Sequence, residues 1–193
     1  MAEELLEDEE TPAVEEESAE ERERREAALA RIRKLGDPVL RTRALDVTKF
    51  DSRLREEVDW MREIMDGALG VGLAATQLGT LARVLVYRVE PESPVAAVIN
   101  PRVEWTGEET DTMEEGCLSI PGIRVDVERA LHVRVGCVDE YGEPRTIEAS
   151  GLEARVLAHE IDHLDGVLML DRTDKAQRRE AMRAWRERQR GEE

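Results

Sequence analysis

The stretch Ser150-Gly151-Leu152-Glu153-Ala154-Arg155-Val156-Leu157-Ala158-His159-Glu160-Ile161-Asp162-His163-Leu164-Asp165-Gly166 decides how this chain is read. A serine with a glutamate three residues later is the pattern of a capping box, which opens a helix. Gly166 is placed to end that helix after about Leu164. Inside it lies His159-Glu160-Ile161-Asp162-His163, an instance of H-E-x-x-H. Four helical residues turn through about 400°, so the two imidazoles lie about 40° apart on one face and can share a metal. Glu160 sits about 100° from His159, where a general base for an activated water belongs. The alternative is an ordinary surface helix with two histidines. It loses ground because the chain has 3 histidines and two are placed this way.

A catalytic metal site needs a third protein ligand and an open position. The extended pattern H-E-x-x-H-x-x-G-x-x-H holds as far as Gly166, but its last position is Met169. Glu180 and Glu187 lie in a strongly charged tail. Cys137 falls on the apolar side of an alternating strand pattern and reads as a core thiol. Cys117, in Glu115-Gly116-Cys117-Leu118-Ser119, follows an acidic loop and a glycine, where the backbone can approach a site closely. Asp162 reads as a partner for a nearby base, and His132 as an exposed strand histidine.

The third block is Gly70-Val71-Gly72-Leu73-Ala74-Ala75-Thr76-Gln77-Leu78-Gly79. It matches the loose dinucleotide fingerprint, but that fingerprint needs a strand before it and a helix after it. Here a helix precedes it, so the nucleotide reading fails. Glycine backbone beside Gln77, which carries both donor and acceptor, suits the holding of a peptide and an oxyanion. Leu152 and Val156 share a helical face with His159 and His163, at offsets 0, 4, 7 and 11. They are either cleft-lining or simple core residues.

Around these blocks, residues 21–34 predict a helix broken by Gly36-Asp37-Pro38. Asp51 predicts the cap of another, with an apolar stripe at Leu54, Val58, Met61, Ile64, Met65 and Ala68 that ends at Gly70. Short β-rich runs follow at 82–89, 95–103, 123–127, 131–139 and 143–148. The tail 172–190 is a further helix candidate. The expected class is α+β, with largely antiparallel sheets of short strands packed around a central H-E-x-x-H helix, flanked by an N-terminal and a C-terminal helix. The division expected is a disordered acidic arm at 1–20, a catalytic domain at 21–171 and a basic helix at 172–193.

Charge supports that division. The 193 residues carry 45 acids and 28 bases, a net charge of -17, yet residues 1–20 alone hold ten carboxylates and no base. A block of like charge with little apolar content cannot offset its ordering entropy. No apolar run approaches the ~20 residues of a membrane helix. The acidic start lacks the pattern of a secretory signal, and 2 cysteines make no disulfide framework. A reducing cytoplasm is the expected location.

Taken in series, the blocks closely resemble the peptide deformylases: G-x-G-L-A-A-x-Q at 70–77, E-G-C-L-S at 115–119 and H-E-x-D-H-L-x-G at 159–166, in the family's order. Weaker similarity starts at about Leu35-Gly36-Asp37-Pro38-Val39-Leu40 and reaches the C-terminal helix. Ala158 stands where many relatives carry glutamine, and the acidic arm has no counterpart in the family's common core. The resemblance implies that Cys117, His159 and His163 hold one divalent metal per chain. Fe²⁺ is expected, with Zn²⁺, Ni²⁺ or Co²⁺ as substitutes. It implies metal-bound hydroxide as nucleophile and Glu160 as general acid and base. The N-formyl group would be removed from the formylmethionine of new polypeptides and released as formate. Gln77 and the Leu118 N–H would meet the oxyanion. Val71, Gly72, Met113, Arg124, Leu152 and Val156 would bind substrate. The implied partners are nascent polypeptide N-termini and, through the basic C-terminal helix, the ribosome. A general zinc peptidase and an inactive redox-sensing metal module are the rival readings.

Overall fold

Asp51 accepts a hydrogen bond from the Leu54 N–H at 3.2 Å and so caps helix α2 (Ser52–Gly67). The apolar stripe of α2 buries Leu54, Val58, Met61 and Met65. The helix stops before Gly70, because Leu69 turns into the left-handed region at φ 55°. Preceding it is α1 (Ala19–Leu29), where Ser18 and Glu21 form a reciprocal capping box. The computed structural model describes residues 17–191. The expected acidic arm therefore lies mostly outside the described residues, and its boundary near Glu20 falls inside α1. That helix also ends earlier than the predicted Lys34.

Seven strands follow the two helices: β1 (Gly72–Ala74), β2 (Val84–Tyr87), β3 (Ala96–Thr106), β4 (Thr110–Gly116), β5 (Arg124–Ala130), β6 (His132–Val138) and β7 (Pro144–Ser150). They form an antiparallel sheet in the order β1-β2-β3-β6-β7 and a separate β4-β5 ribbon. Two strands depart from expectation. Gly72–Ala74 is a strand and not a turn, since it pairs with Leu85–Tyr87. The acidic loop before Cys117 is strand β4, whose Glu115 pairs in register with Val125. Its apolar content is too low to read as a strand, and it is stabilised by its ladder to β5.

Helix α3 (Leu152–Leu164) lies against β1, β2, β5 and β7. The predicted capping box at its start does not form. Ser150 is the last residue of β7, with its hydroxyl 2.9 Å from His132 Nδ1. The N-cap is Gly151, at φ 57° and without a side chain to offer. Gly166 ends the helix region as expected, at φ 73°. The last helix, α4 (Lys175–Arg190), is capped by Asp174 and buries Ala181 and Trp185, one turn apart. These two complete an apolar cluster with Ile123, Val125 and Val127, so the basic helix is seated on the ribbon. Among the described residues no helix is long and apolar enough to cross a membrane.

Candidate metal centre and cleft

Helix α3 delivers His159 and His163 from adjacent turns, with ring centroids 5.0 Å apart. Cys117, just past the end of β4, meets them: its Sγ is 3.1 Å from His163 Nε2. One ligand atom from each of the three lies within 4.8 Å of the others, and His163 is buried. The group is a possible metal site. A thiolate and two imidazoles, with no fourth protein ligand among the described residues, are the donor set of an open transition-metal centre. Burial pushes the Cys117 thiol up, but the nearby His163 charge and the His159 hydrogen bond outweigh it and hold the thiol well below its ordinary value. The site thus favours the thiolate, the form that binds a metal.

Two carboxylates flank this centre. Glu115, at the end of β4, lies 2.9 Å from His159 Nδ1 through Oε2. That contact leaves Nε2 as the ring nitrogen available to a metal. Glu115 also accepts from Arg129 at 2.7 and 3.0 Å and from Arg155 at 2.8 Å. Burial would raise its pKa, but the hydrogen bonds from His159 and Arg129, with their charges, bring it down to about 2. Glu160 is the opposite case. It is buried, its Oε2 has no hydrogen-bond partner, and burial raises its pKa despite the neighbouring histidines. Its other oxygen packs on β1, where a Cβ at Gly72 would come within 2.5 Å of Oε1. Only glycine leaves room there.

Gln77 is buried and held from both ends. Its Oε1 accepts from the Ala74 N–H at 2.9 Å, and its Nε2 lies 3.2 Å from Ser119 Oγ and 3.7 Å from Cys117 Sγ. A cleft of about 750 Å³ opens over these groups. Val71, Gly72, Gln77, Cys117, Leu118, Arg124, Leu152, Val156, His159 and Glu160 all line it. Val156 is buried, while Leu152 is half-exposed at the cleft wall. Met113 is the exception: it is exposed on β4 and is not part of the lining. Asp162 pairs with Arg129 at 2.8 Å and Arg172 at 2.6 Å, as its sequence context suggested. His132 is exposed.

Four polar residues escaped the sequence reading: Glu115, Ser119, Arg129 and Arg155. Arg129 left a trace, because Val125, Val127 and Arg129 alternate along β5 and all three point inward. Arg155 stands one turn before His159, which is also a helical signal. Glu115 opens the E-G-C-L-S block, but nothing local marks its burial, since it sits among exposed positions on β4.

What the fold and cleft define first is a class, that of α+β proteins whose H-E-x-x-H helix is gripped between antiparallel strands beside a candidate metal centre. Comparison with known proteins narrows it. A family model described as polypeptide deformylase matches residues 29–179. The peptide deformylase of Acidothermus cellulolyticus is 48% identical over 160 residues, covering 83% of this chain and 87% of that protein. That of a Parafrankia species is 47% identical over 156 residues, covering 81% and 85%. A crystal structure of a peptide deformylase from Synechococcus elongatus in complex with actinonin superimposes with a TM-score of 0.76 at 40% identity, over 79% of this chain and 85% of that one. The chain belongs to the peptide deformylase family.

Proposed function

We propose that this deformylase hydrolyses the N-formyl group of formylmethionine at the start of new polypeptides, with Glu160 as the proton-transfer group. The observation that carries this is the pairing of a buried carboxylate oxygen that lacks a partner with a thiolate–imidazole donor set in one cleft. Cys117, His159 and His163 would hold a divalent metal, which when bound supplies an acidified water. Glu160 accepts the proton of the attacking water and passes it to the departing amine; its raised affinity for protons suits both transfers. The Gln77 Nε2 and the Leu118 N–H serve the developing negative charge on the formyl oxygen. Ala74 fixes the Gln77 amide through Oε1, and the long 3.7 Å contact of Nε2 to Cys117 Sγ is the one it would give up for the oxyanion. Among the described residues strand β1 has β2 as its one neighbour, so its other edge can take an extended peptide as an added strand at Val71 and Gly72. Leu152 and Val156 give the methionine side chain an apolar wall, with Arg124 at the mouth.

Formate release from formyl-Met-Ala, with metal analysis of the same anaerobic sample, tests the reading. Activity on unformylated peptides instead would favour a general peptidase. Gln77→Ala should lower kcat by about 10²–10³-fold with metal content intact; loss of metal would make Gln77 structural. Two imidazoles and a thiolate take Zn²⁺ over Fe²⁺ on raw affinity, so the expected Fe²⁺ would have to be retained under anaerobic handling. Equal, air-stable activity with Zn²⁺ would remove iron as the working metal. The exposed arginines of α4 support docking to ribosomal RNA through phosphate attraction. Since Trp185 belongs to the core, replacing Arg179 and Arg186 by Glu is a cleaner cosedimentation test than deleting the helix. Unchanged binding would dispose of the idea. Cytoplasmic action follows from the same substrate.

A further inference from the structure

Helix α1 stands almost wholly before the residues that the family model matches, which begin at Leu29. It adds little to the core, because Ala28 is its one buried residue. Yet three of its last five residues, Arg25, Glu26 and Leu29, line the same cleft as His159 and Glu160. The helix is pinned there from two sides. Ala28 abuts α2 so closely that a Cβ on Gly67 would come within 3.0 Å of its own Cβ. Lys34 Nζ donates to the carbonyl of Leu29 at 3.0 Å and to that of Leu118 at 3.1 Å. One lysine thus joins the end of α1 to the Leu118 segment beside Cys117.

A single formylmethionyl residue fills only part of a cleft of about 750 Å³. A peptide laid along the β1 edge advances about 3.3 Å per residue, and the remaining lining, which includes Arg25, Glu26 and Leu29, offers its following residues a surface. Arg25 is half-buried in that lining, and of its five donors the Nη2 side pairs with Glu17 at 3.0 Å. The other N–H groups of a guanidinium fork suit carbonyl acceptors on a main chain.

We propose that α1 forms a binding subsite for the peptide downstream of formylmethionine, with Arg25 donating to its main-chain carbonyl oxygens. The subsite rests on the deformylase reading and makes peptide length a determinant of turnover. Because the contact is to backbone, it serves nascent chains of any sequence.

The test measures kcat/KM by formate release for formyl-Met-Ala and for formyl-Met-Ala-Ala-Ala on the full chain. The wild type should prefer the longer peptide by about tenfold, the scale of one charge-assisted hydrogen bond. Arg25→Ala should bring that ratio close to one, and Arg22→Ala, an exposed change on the same helix outside the lining, should keep it. The ratio compares two substrates on one preparation, so a partly folded fraction cancels. If Arg25→Ala gives no active protein, Arg25→Gln is read in the same ratio. A wild-type ratio of one, or a ratio that neither Arg25 variant moves, overturns the subsite while leaving the deformylase reading intact. No formate from either peptide would overturn that reading and the subsite with it.

Discussion

The two sides of helix α3 treat a buried carboxylate in opposite ways. Towards the β4-β5 ribbon, Glu115 is enclosed by Arg129, Arg155 and His159 and is held ionised down to about pH 2. Towards β1, Glu160 is packed on the glycine backbone with one oxygen unpartnered, and burial raises its proton affinity. Both lie within reach of the same histidine pair, yet they cannot exchange roles. A carboxylate surrounded by guanidinium groups is fixed in charge and orientation, which suits a group that steers a ligand. One that is desolvated and unpaired holds a proton more readily than a free carboxylate, which suits an acid–base.

Removing the proton-transfer side should have the largest effect. Glu160→Gln is expected to lower formate release by about 10²–10⁴-fold with metal content unchanged. Retained turnover would mean that the unpartnered oxygen has no chemical role and that the proton is carried elsewhere; no turnover in either protein would favour the inactive redox-sensing module. On the other side, Glu115→Ala takes its one carboxylate from the buried Arg155 and leaves Arg129 with Asp162 alone. Urea unfolding should register a loss of about 3–5 kcal/mol, and metal titration a weakening of about 10–100-fold. A stable variant with normal metal affinity would dissolve the contrast.

The pH dependence carries a definite sign. Glu115 has a folded pKa of about 2 against an ordinary value of 4.5. Between these values the unfolded chain binds more protons, so stability rises with pH. The contribution is fully present above about 4.5 and is lost as pH falls towards 2. At about 1.36 kcal/mol per unit, the span is about 3 kcal/mol. Glu160 works the other way: its raised pKa favours the folded state at low pH and loses that advantage as pH rises through it. Comparing acid unfolding of wild type and Glu115→Gln should show a flatter profile for the variant below pH 4.5; parallel profiles would contradict the assignment. Smallest is the steric change on the β1 side. Gly72→Ala places a methyl against Glu160, and the displaced carboxylate should cost about 10²-fold in kcat with less effect on folding.

The local chemistry of the centre was legible in the sequence because a helix repeats every 3.6 residues. His159, Glu160 and His163 could be set on their faces without any tertiary knowledge. The same held for the α2 stripe, whose Leu54, Val58, Met61 and Met65 are buried. Local reading failed where partners are distant or where pairing outweighs composition. Ser150 looked like a cap, but β7 claims it and its hydroxyl faces His132. Residues 110–116 looked like a loop, because a strand with six exposed positions shows no apolar alternation.

Three short motifs in order were therefore enough to indicate the family and the donor atoms. What they could not indicate is that Glu115 would be enclosed by buried arginines while Glu160 keeps an unpartnered oxygen. Glu115 lies 14 positions from Arg129 and 40 from Arg155, and only the folded chain brings these charges together. Burial and pairing are properties of the whole packing, and they decide the difference between two otherwise identical side chains. The place of α1 beside the cleft is of the same kind: its sequence shows a charged helix, and only its docking on α2 and Lys34 makes it a wall.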